Sequence, residues 1–317
     1  MKKHLLCLTV DTDPDGLSGK VTNRQTLKWE GLERLQTLLD ETQLDPLSKI
    51  PLTWFVRADG QLESILGDAA YLLEKYENFW NAVTRTGHEL GWHPHLYRQA
   101  KADDPAILIT DPTEAQEELE RLWSKVRSSL PATSFRHGEG WHTEETYSTV
   151  ERLRFLCDST AIPGRQGAAG HPMDWSNAPN KPYFPAPSNL CQAGPERPLL
   201  ELPMSTWLLQ APYDAAPRIR YMNAAVRPEL FANALRNWEN TRKFSPSELH
   251  IWVMIFHPDE ISASLEKDGL YSRSAAALCS NLVSFQESLH RVGQEFEWVT
   301  ISQAAERWKL HHREQAS

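Results

Sequence analysis

Short apolar segments recur along the whole chain, and helical patterns separate most of them. The strand-like segments are LLCLTV (5–10), PLTWFV (51–56), HELGWH (88–93), TSFR (133–136), RFLCD (154–158), LLELPM (199–204), LHIWVMIF (249–256) and FEWVTI (296–301). Amphipathic helices are predicted at 27–42, at 113–130, where Thr113 opens a capping-box pattern, at 228–243, opened by Pro228, and at 274–292. This alternation is typical of βα units built around a parallel sheet or a barrel.

One stretch breaks the alternation: residues 162–198 are rich in Pro and Gly and show neither period. So long a stretch without secondary structure inside a compact domain is usually a functional loop or a disordered linker. Its aromatic residues, Trp175, Tyr183 and Phe184, favour a lid loop packed over the site. No linker divides the chain, so we predict a single domain over residues 1–317.

Composition and charge exclude several classes of protein. No apolar run approaches the roughly 18 residues that a membrane span needs, and the net charge of −9 argues against a nucleic-acid partner. The four cysteines are far apart and form no CxxC pair, which favours reduced thiols and the cytoplasm. The Met1-Lys2-Lys3 start resembles a signal peptide, but the apolar run after it stops at Asp11, so we assign it to the first strand.

Ionisable side chains follow the predicted strands at the point where each strand ends. In a parallel barrel these ends meet at one face, which carries the active site. The residues are Asp11 and Asp13 after the first strand, Arg57 and Asp59 after the second, His93 and His95 after the third, Arg136 after the fourth, Asp158 after the fifth, and His257 after the seventh. We therefore predict one polar site, assembled from six strands, at this face.

Asp13, His93 and His95 are the predicted metal ligands. Alternate residues of an extended segment point the same way, so both histidines of GWHPHLY can reach one site, as can Asp11 and Asp13. One carboxylate and two imidazoles, with positions left open for water, form a catalytic set for zinc or a similar divalent ion. His88 precedes this motif and is predicted to support the strand.

The motifs, in this order, resemble those of the polysaccharide deacetylases, also called NodB-homology carbohydrate esterases. LTVDTD is similar to the first motif, GHELGWHPH to the second, SFRHGEGW to the third at Arg136, FLCDST to the fourth at Asp158, and VMIFHPDE to the fifth at His257. The family usually spaces its two ligand histidines four residues apart. Here that position is Tyr97, so either His95 or Tyr97 completes the metal site.

The resemblance implies a distorted (β/α)7 barrel that hydrolyses an N-acetyl or O-acetyl group on a sugar or glycan. A divalent metal, zinc above all, would polarise the acetyl carbonyl and acidify a water molecule. Asp11 is then the expected general base, kept ionised and oriented by Arg136. His257 is the expected general acid, and Asp158 is expected to fix its tautomer and raise its pKa.

Three further residues are candidates for binding the sugar. Trp92 and Trp141 are of the type that stacks on a sugar face, although most of the 12 tryptophans must serve packing. Arg57 lies at the rim of the predicted site and is assigned either to the substrate or to a structural ion pair with Asp59.

Two other functions are compatible with the sequence. A barrel of the same fold that binds a saccharide, or a partner in glycan synthesis, without catalysis would explain the altered second and third motifs. A metallohydrolase of the amidohydrolase kind also uses an HxH pair, but the pair is then expected on the first strand. The combination of Asp11, Asp13, His93, Arg136 and His257 favours an enzyme. The sequence leaves open the sugar, the acyl group and the oligomeric state.

Overall fold

Residues 4–15, 27–40, 45–99, 101, 104–241, 244, 248–262 and 269–316 are described by the computed structural model of the chain. The strands, in chain order, are β1 (His4–Asp11), β2 (Leu52–Arg57), β3 (Glu89–His93), β4 (Tyr97–Arg98), β5 (Ile107–Leu108), β6 (Ser134–Phe135), β7 (Cys157–Asp158), β8 (Pro185–Ala186), β9 (Asn189–Ala193), β10 (Leu200–Glu201), β11 (Thr206–Leu209), β12 (Arg218–Tyr221), β13 (His250–Phe256) and β14 (Phe296–Trp298). The helices are α1 (Glu30–Asp40), α2 (Gly60–Leu66), α3 (Tyr71–Lys75), α4 (Glu77–Arg85), α5 (Pro112–Val126), α6 (Glu144–Arg152), α7 (Pro228–Thr241), α8 (Ala275–Arg291) and α9 (Ile301–Ala316).

Eight strands form one parallel sheet, and they are the eight that the sequence predicts. Their order is β10-β7-β6-β3-β2-β1-β13, and β14 also pairs with β1. From β1 to β10 each strand of the sheet lies beside the one that precedes it in the chain, as βα units require. The fifth predicted strand starts late, at Cys157, because α6 runs to Arg152 and is followed by Arg154 in the left-handed region (φ 67°).

The two edges of the sheet, β10 and β13, are bridged by irregular segments. The backbone N–H of Ser205 donates to the carbonyl of Val253 (3.0 Å), and that of Ala224 donates to the carbonyl of Ile255 (3.1 Å). Segments that follow β10 and β12 in the chain therefore occupy the gap beside β13. The sheet is curled and surrounded by helices, which confirms the predicted distorted (β/α)7 barrel.

Helices α1, α5, α7 and α8 confirm the four predicted helices. The predicted ends at 41–42 and 242–243 lie outside the described residues. The capping box at Thr113 is wrong: Asp111 is the cap, since its side chain accepts a hydrogen bond from the backbone N–H of Glu114 (2.9 Å), and Pro112 takes the first helical position. No helix within the described ranges is long and apolar enough to cross a membrane.

The segment at 162–198 has more structure than its sequence indicates. Its first part folds back on itself: the N–H of Gly164 donates to the carbonyl of Trp175 (2.9 Å), and that of Gly167 to the carbonyl of Met173 (2.7 Å). We call residues 162–175 the pocket hairpin. The indole Nε1 of the buried Trp175 donates to the carbonyl of Gly140 (2.6 Å), which fixes the pocket hairpin to the loop after β6. The later part forms β8 and β9.

Candidate active site

The carboxyl ends of the barrel strands open into a pocket of about 700 Å³. Six residues predicted for the site line this pocket: Asp11, Asp13, His93, His95, Arg136 and His257. One wall comes from the pocket hairpin, through residues that include Arg165, Gly167 and Met173. The strand-end rule thus brought most of the predicted residues to one place.

The predicted metal ligands form a compact cluster. Asp13, His93 and His95 offer three ligand atoms that lie within 4.8 Å of one another. His95 Nε2 is 3.0 Å from Asp13 Oδ1, His93 Nε2 is 3.7 Å from Asp13 Oδ2, and the two Nε2 atoms are 3.2 Å apart. Both imidazoles are nearly buried, with 3% and 5% of the residue exposed. The HxH spacing works because His93 ends β3 and the chain stays extended to His95.

The donor set of this cluster fits a divalent cation. His93 Nδ1 donates to the backbone carbonyl of Arg136 (2.8 Å), so its Nε2 carries the lone pair that faces the cluster. His95 Nδ1 lies 3.4 Å from Glu139 Oε1, which favours the same tautomer. Two lone pairs facing each other repel unless a cation or a proton lies between them. One carboxylate and two imidazoles oriented in this way are a set that zinc accepts.

Charge within the cluster favours a bound cation as well. Burial acts to raise the pKa of Asp13, but His95 and His93 hold that pKa well below its usual range. For His95, burial and Arg57 act to lower the pKa, and Asp13 raises it to about 9. The cluster therefore retains an ionised carboxylate, and a divalent ion would displace the proton that His95 holds.

Arg57 supports the metal site from behind and does not face the pocket, so its assignment to the substrate is wrong. Its guanidinium is 1% exposed and donates to Asp59 (2.8 Å), Asp13 (3.2 Å) and Gln61 (2.5 Å). The structural ion pair with Asp59 is confirmed. Asp59 also accepts from the backbone N–H of His95 (3.2 Å), so this pair positions two of the three predicted metal ligands.

Asp11 and Arg136 form the predicted pair. Arg136 is fully buried, and its Nη1 donates to Asp11 Oδ1 at 2.6 Å. The remaining donors of the guanidinium bind Thr9 Oγ1 (2.8 Å) and the carbonyl and hydroxyl of Ser159 (2.9 and 3.0 Å). Asp11 Oδ2 lies 3.7 Å from His93 Nε2. Arg136 thus holds one carboxylate oxygen, and the other is directed at the metal cluster.

His257 lies beside the cluster, and Glu260 is its partner. His257 Nε2 is 3.6 Å from Asp13 Oδ2, and Nδ1 is 3.1 Å from Glu260 Oε1. Glu260 Oε2 accepts from the backbone N–H of His257 (2.9 Å) and from Asn223 Nδ2 (2.7 Å). Burial acts to lower the pKa of His257, but Glu260 raises it well above the ordinary value.

The prediction that Asp158 orients His257 is therefore wrong. Asp158 is fully buried, and its Oδ2 lies 2.8 Å from His142 Nε2 while Thr160 Oγ1 donates to its Oδ1 (2.5 Å). It also adjoins Glu201, whose pKa burial and the Asp158 charge raise well above the ordinary value. Asp158 ends a strand that pairs with β6 and β10, whereas His257 follows β13 at the other end of the sheet order. Asp158 belongs to a buried polar cluster beneath the pocket.

Trp92 and Trp141 do not contact the pocket, so their assignment to sugar binding is wrong. Both are 0% exposed. Trp92 packs against Trp123 and Phe155 and donates its Nε1 to the carbonyl of Ala58 (2.9 Å). Because neighbours in a strand face opposite sides, the same β3 geometry that directs His93 into the pocket directs Trp92 away from it.

Glu139 is a pocket residue that the sequence analysis missed. It lies in the HGEG segment with φ 60°, next to Gly140 at φ 64°, a left-handed turn that lifts its carboxylate into the pocket. Tyr97 donates its hydroxyl to Glu139 Oε1 (2.7 Å), and the same oxygen faces His95. Burial acts to raise the pKa of Glu139, but His95 and Tyr97 hold it at about 2. The structure thus places His95 in the cluster and Tyr97 behind it.

A group of pocket residues beside His257 was also missed. Tyr221 ends β12, and Tyr271 precedes α8. The side chain of Tyr271 hydrogen-bonds to those of Tyr221 and Glu260. Arg165, from the pocket hairpin, has its guanidinium carbon 5.8 Å from the centre of the Tyr221 ring. The only sequence signal for these residues was that Arg165 fell in the predicted lid loop.

Known proteins resemble this chain in structure and not in sequence. No protein-family model matches the sequence, and no curated protein sequence matches it significantly. A Mycobacterium smegmatis protein named as a polysaccharide deacetylase is 17% identical, with a TM-score of 0.53 over 98% of this chain and 92% of its own. PuuE allantoinase is 13% identical, with a TM-score of 0.52 over 98% of this chain and 92% of its own. A Parabacteroides distasonis protein named as a glycoside hydrolase/deacetylase is 13% identical, with a TM-score of 0.55 over 96% of this chain and 70% of its own.

At these identities the likeness establishes the fold alone. The barrel that the motif resemblance implies is also the fold of structures named as deacetylases, over nearly the whole of this chain.

Proposed function

We propose that the chain is a metal-dependent hydrolase that removes an acyl group, acetyl above all, from a sugar or glycan. The proposal rests on two kinds of support. The chain shares its fold with proteins named as deacetylases. Its pocket brings together a ligand cluster, a carboxylate held by an arginine, and a histidine held by a carboxylate.

Asp13, His93 and His95 would hold the metal, with zinc as the first candidate because imidazole and carboxylate ligands suit it. When bound, a divalent ion supplies Lewis acidity to the acyl carbonyl and to water. Arg57 and Asp59 keep Asp13 and His95 in place, and the carbonyl of Arg136 fixes the tautomer of His93.

Asp11 is the proposed general base. Its Oδ2 faces the cluster while Arg136 keeps Oδ1 in a charge-assisted hydrogen bond. The carboxylate can then accept the proton of the attacking water without leaving its position. Arg136 acts through Asp11 as a positioning residue, because each of its three guanidinium nitrogens donates to a protein group.

His257 is the proposed general acid. Glu260 keeps the imidazole protonated and fixes its ring, with Nε2 directed at the cluster. As the carbonyl carbon loses the leaving group, Nε2 gives that group its proton, whether the leaving atom is the nitrogen of an amine or the oxygen of an alcohol.

The observation that carries the proposal is the position of this acid and this base. Asp11 lies 3.7 Å from one metal ligand, His93, and His257 lies 3.6 Å from another, Asp13. A barrel that only binds a saccharide has no need of a buried Arg–Asp pair and a His–Glu pair at the same cluster. The catalytically idle alternative is less well supported for this reason.

We further propose a saccharide substrate in a reducing compartment, the cytoplasm, with no nucleic-acid partner. The net charge of −9 supports the absence of nucleic acid. Free thiols at Cys7, Cys157, Cys191 and Cys279 support the compartment.

Acetate release tests the function directly. The purified protein, stripped of metal and then reloaded with zinc, is incubated with N-acetyl and O-acetyl sugars and, because the fold also occurs in an allantoinase, with allantoin. We expect zinc-dependent acetate release from at least one sugar, and a loss of roughly 100-fold or more in Asp11→Asn with zinc binding retained. Asp104→Asn, outside the pocket, is the matched control. No hydrolysis by zinc-loaded protein would support the idle barrel, and full activity in Asp11→Asn would exclude Asp11 as the base.

A further inference from the structure

Arg165 is a cation in the pocket that pairs with no carboxylate of the described residues. Among the residues that the structure describes, no acidic side chain forms an ion pair with it, although it is half-buried and lines the pocket. The other cations there are matched: Arg136 with Asp11 (2.6 Å) and Arg273 with Asp259 (3.6 Å). A half-buried guanidinium without a counter-charge is costly unless a ligand supplies one.

The backbone around Arg165 is fixed. The carbonyl of Arg165 accepts from the N–H of Trp175 (2.8 Å), and its N–H donates to the carbonyl of Ile162 (3.0 Å). Trp175 is in turn tied to Gly140. The guanidinium lies against Tyr221 and is thus held at a defined point of the pocket wall. The anchored backbone and the Tyr221 ring reduce the freedom that the side chain would lose on binding a ligand.

Tyr221 locates Arg165 relative to the proposed chemistry. Arg165, Tyr221 and His257 line the same pocket, and the guanidinium carbon of Arg165 is 5.8 Å from the centre of the Tyr221 ring. Burial raises the pKa of Tyr221, and the positive charges of His257 and Arg165 both oppose this rise, so both cations lie near the phenol. If His257 protonates the leaving group, the part of the substrate on this side of the pocket is the leaving group. In a deacylated sugar, the leaving group is the sugar itself.

We propose that Arg165 binds an anionic group carried by the sugar, so that the preferred substrate is an acylated acidic saccharide with a carboxylate or a phosphate. The orientation of the sugar rests on the proposed deacylase function. A guanidinium binds either anion through two parallel N–H donors, and the neighbouring tyrosines offer apolar faces and hydroxyls to the ring. The pocket is otherwise rich in carboxylates, which repel an anionic group. A negative charge on the sugar is therefore favoured beside Arg165 and disfavoured elsewhere in the pocket.

Binding measured by calorimetry tests the proposal without turnover. The probes are N-acetylglucosamine, its 6-phosphate, its 1-phosphate, and the uronic acid with a carboxylate at C6, each titrated into protein with and without zinc. We expect at least one acidic probe to bind tighter than the neutral sugar by about 10-fold or more. Whether a carboxylate or a phosphate gains the affinity identifies the anion.

Variants of Arg165 assign the preference. Arg165→Met keeps the aliphatic stem and should remove the preference for the acidic probe while leaving the affinity for the neutral sugar within about twofold, and Arg165→Lys should retain part of it. Arg236→Met, which removes the charge of an exposed side chain on α7, should change neither affinity. Thermal unfolding confirms that each variant is folded.

Equal binding of neutral and acidic probes by the wild type, or equal losses for both in Arg165→Met, would overturn the proposal. Binding that depends on Arg165 but is not followed by acetate release leaves the proposal standing and sinks the deacylase function. The opposite outcome is acetate release from neutral sugars, with no preference for acidic ones and no change in Arg165→Met. It would overturn the Arg165 proposal and leave the deacylase function standing.

Discussion

Replacing Glu260 by Gln should remove the proton donor while keeping the shape of the site. Glu260 Oε2 accepts two N–H groups, from His257 N (2.9 Å) and Asn223 Nδ2 (2.7 Å), and Oε1 faces His257 Nδ1 (3.1 Å). In the amide, only the oxygen can accept those two N–H groups, so the NH₂ must take the Oε1 position. It then donates to Nδ1 of His257, which must be without a proton there.

The size of this effect follows from the geometry. Opposite unit charges 3.1 Å apart interact by roughly 5 kcal/mol at an effective dielectric constant of about 20. Glu260 is the main group that raises the pKa of His257 against the effect of burial. The Gln variant loses this attraction, and the imidazole becomes neutral. For an N-acetyl sugar we expect kcat to fall about 100-fold, the usual contribution of a general acid. For an activated aryl acetate, whose leaving group needs little protonation, we expect a fall of less than about threefold.

The pH dependence gives the sign of the effect. In the proposed mechanism the protonated imidazole is the active form, so activity should be lost as pH rises through the pKa of His257. The variant should lose its activity at lower pH than the wild type. Ring ¹⁵N NMR of His257 measures the same change without turnover. Asp158→Asn is the control, because Asp158 contacts His142 and should leave the basic limb in place. The reasoning is refuted if Asp158→Asn moves that limb and Glu260→Gln does not.

The other predictions concern metal binding and stability. His93→Ala should lower zinc affinity by roughly 100-fold or more, as measured by calorimetry against a competing chelator, because a three-ligand set cannot spare one. His95→Ala should do the same and Tyr97→Phe should not, and the opposite result would make Tyr97 the ligand. Gly138→Ala should also weaken zinc binding, because a Cβ there would lie 2.3 Å from His95 Cδ2. Burial lowers the pKa of His88 from 6.5 to about 4, so its stabilising effect is complete above pH 6.5 and is lost as pH falls through about 4. The unfolding free energy of the wild type should fall between pH 7.5 and pH 4.5, and in His88→Gln this fall should be smaller by about 1–3 kcal/mol. Urea unfolding at the two pH values measures it, and an equal fall in both proteins would contradict the prediction.

The fold could be predicted to the extent that it depends on apolar runs. The eight strands of the sheet are the eight apolar segments, since a strand buried on both faces leaves a continuous apolar run in the sequence. The closure of the barrel could not be predicted, because Ser205 and Ala224 pair with β13 through backbone atoms and follow no pattern of side chains. Helices α2, α3 and α4 have seven, five and nine residues, too few to show a helical period reliably.

The site could be predicted where strand ends decide it, and not where loops do. Strand ends bring Asp11, His93 and His257 to one pocket. The partner of His257 comes from its own loop: His257 and Glu260 are three residues apart and form a capping box around a 3-10 turn. The three-residue spacing of His257 and Glu260 can be read in HPDE. The expectation that residues at strand ends pair with one another favoured Asp158 as the partner instead. Glu139 depends on a left-handed turn that only the pair of glycines around it indicates.

The position of Tyr97 explains how the HxH pair serves in place of a wider spacing. His95 follows β3 by two residues, its backbone N–H is held by Asp59, and Gly138 leaves room for its ring. Tyr97 lies two residues further on, and its ring stacks on that of His95 at 6.2 Å while its hydroxyl binds Glu139. Glu139 in turn faces Nδ1 of His95, so in the proposed metal site Tyr97 fixes the group that sets the tautomer of a ligand. In that proposal, the residue that stands where polysaccharide deacetylases usually have a second histidine supports the ligand that replaces that histidine.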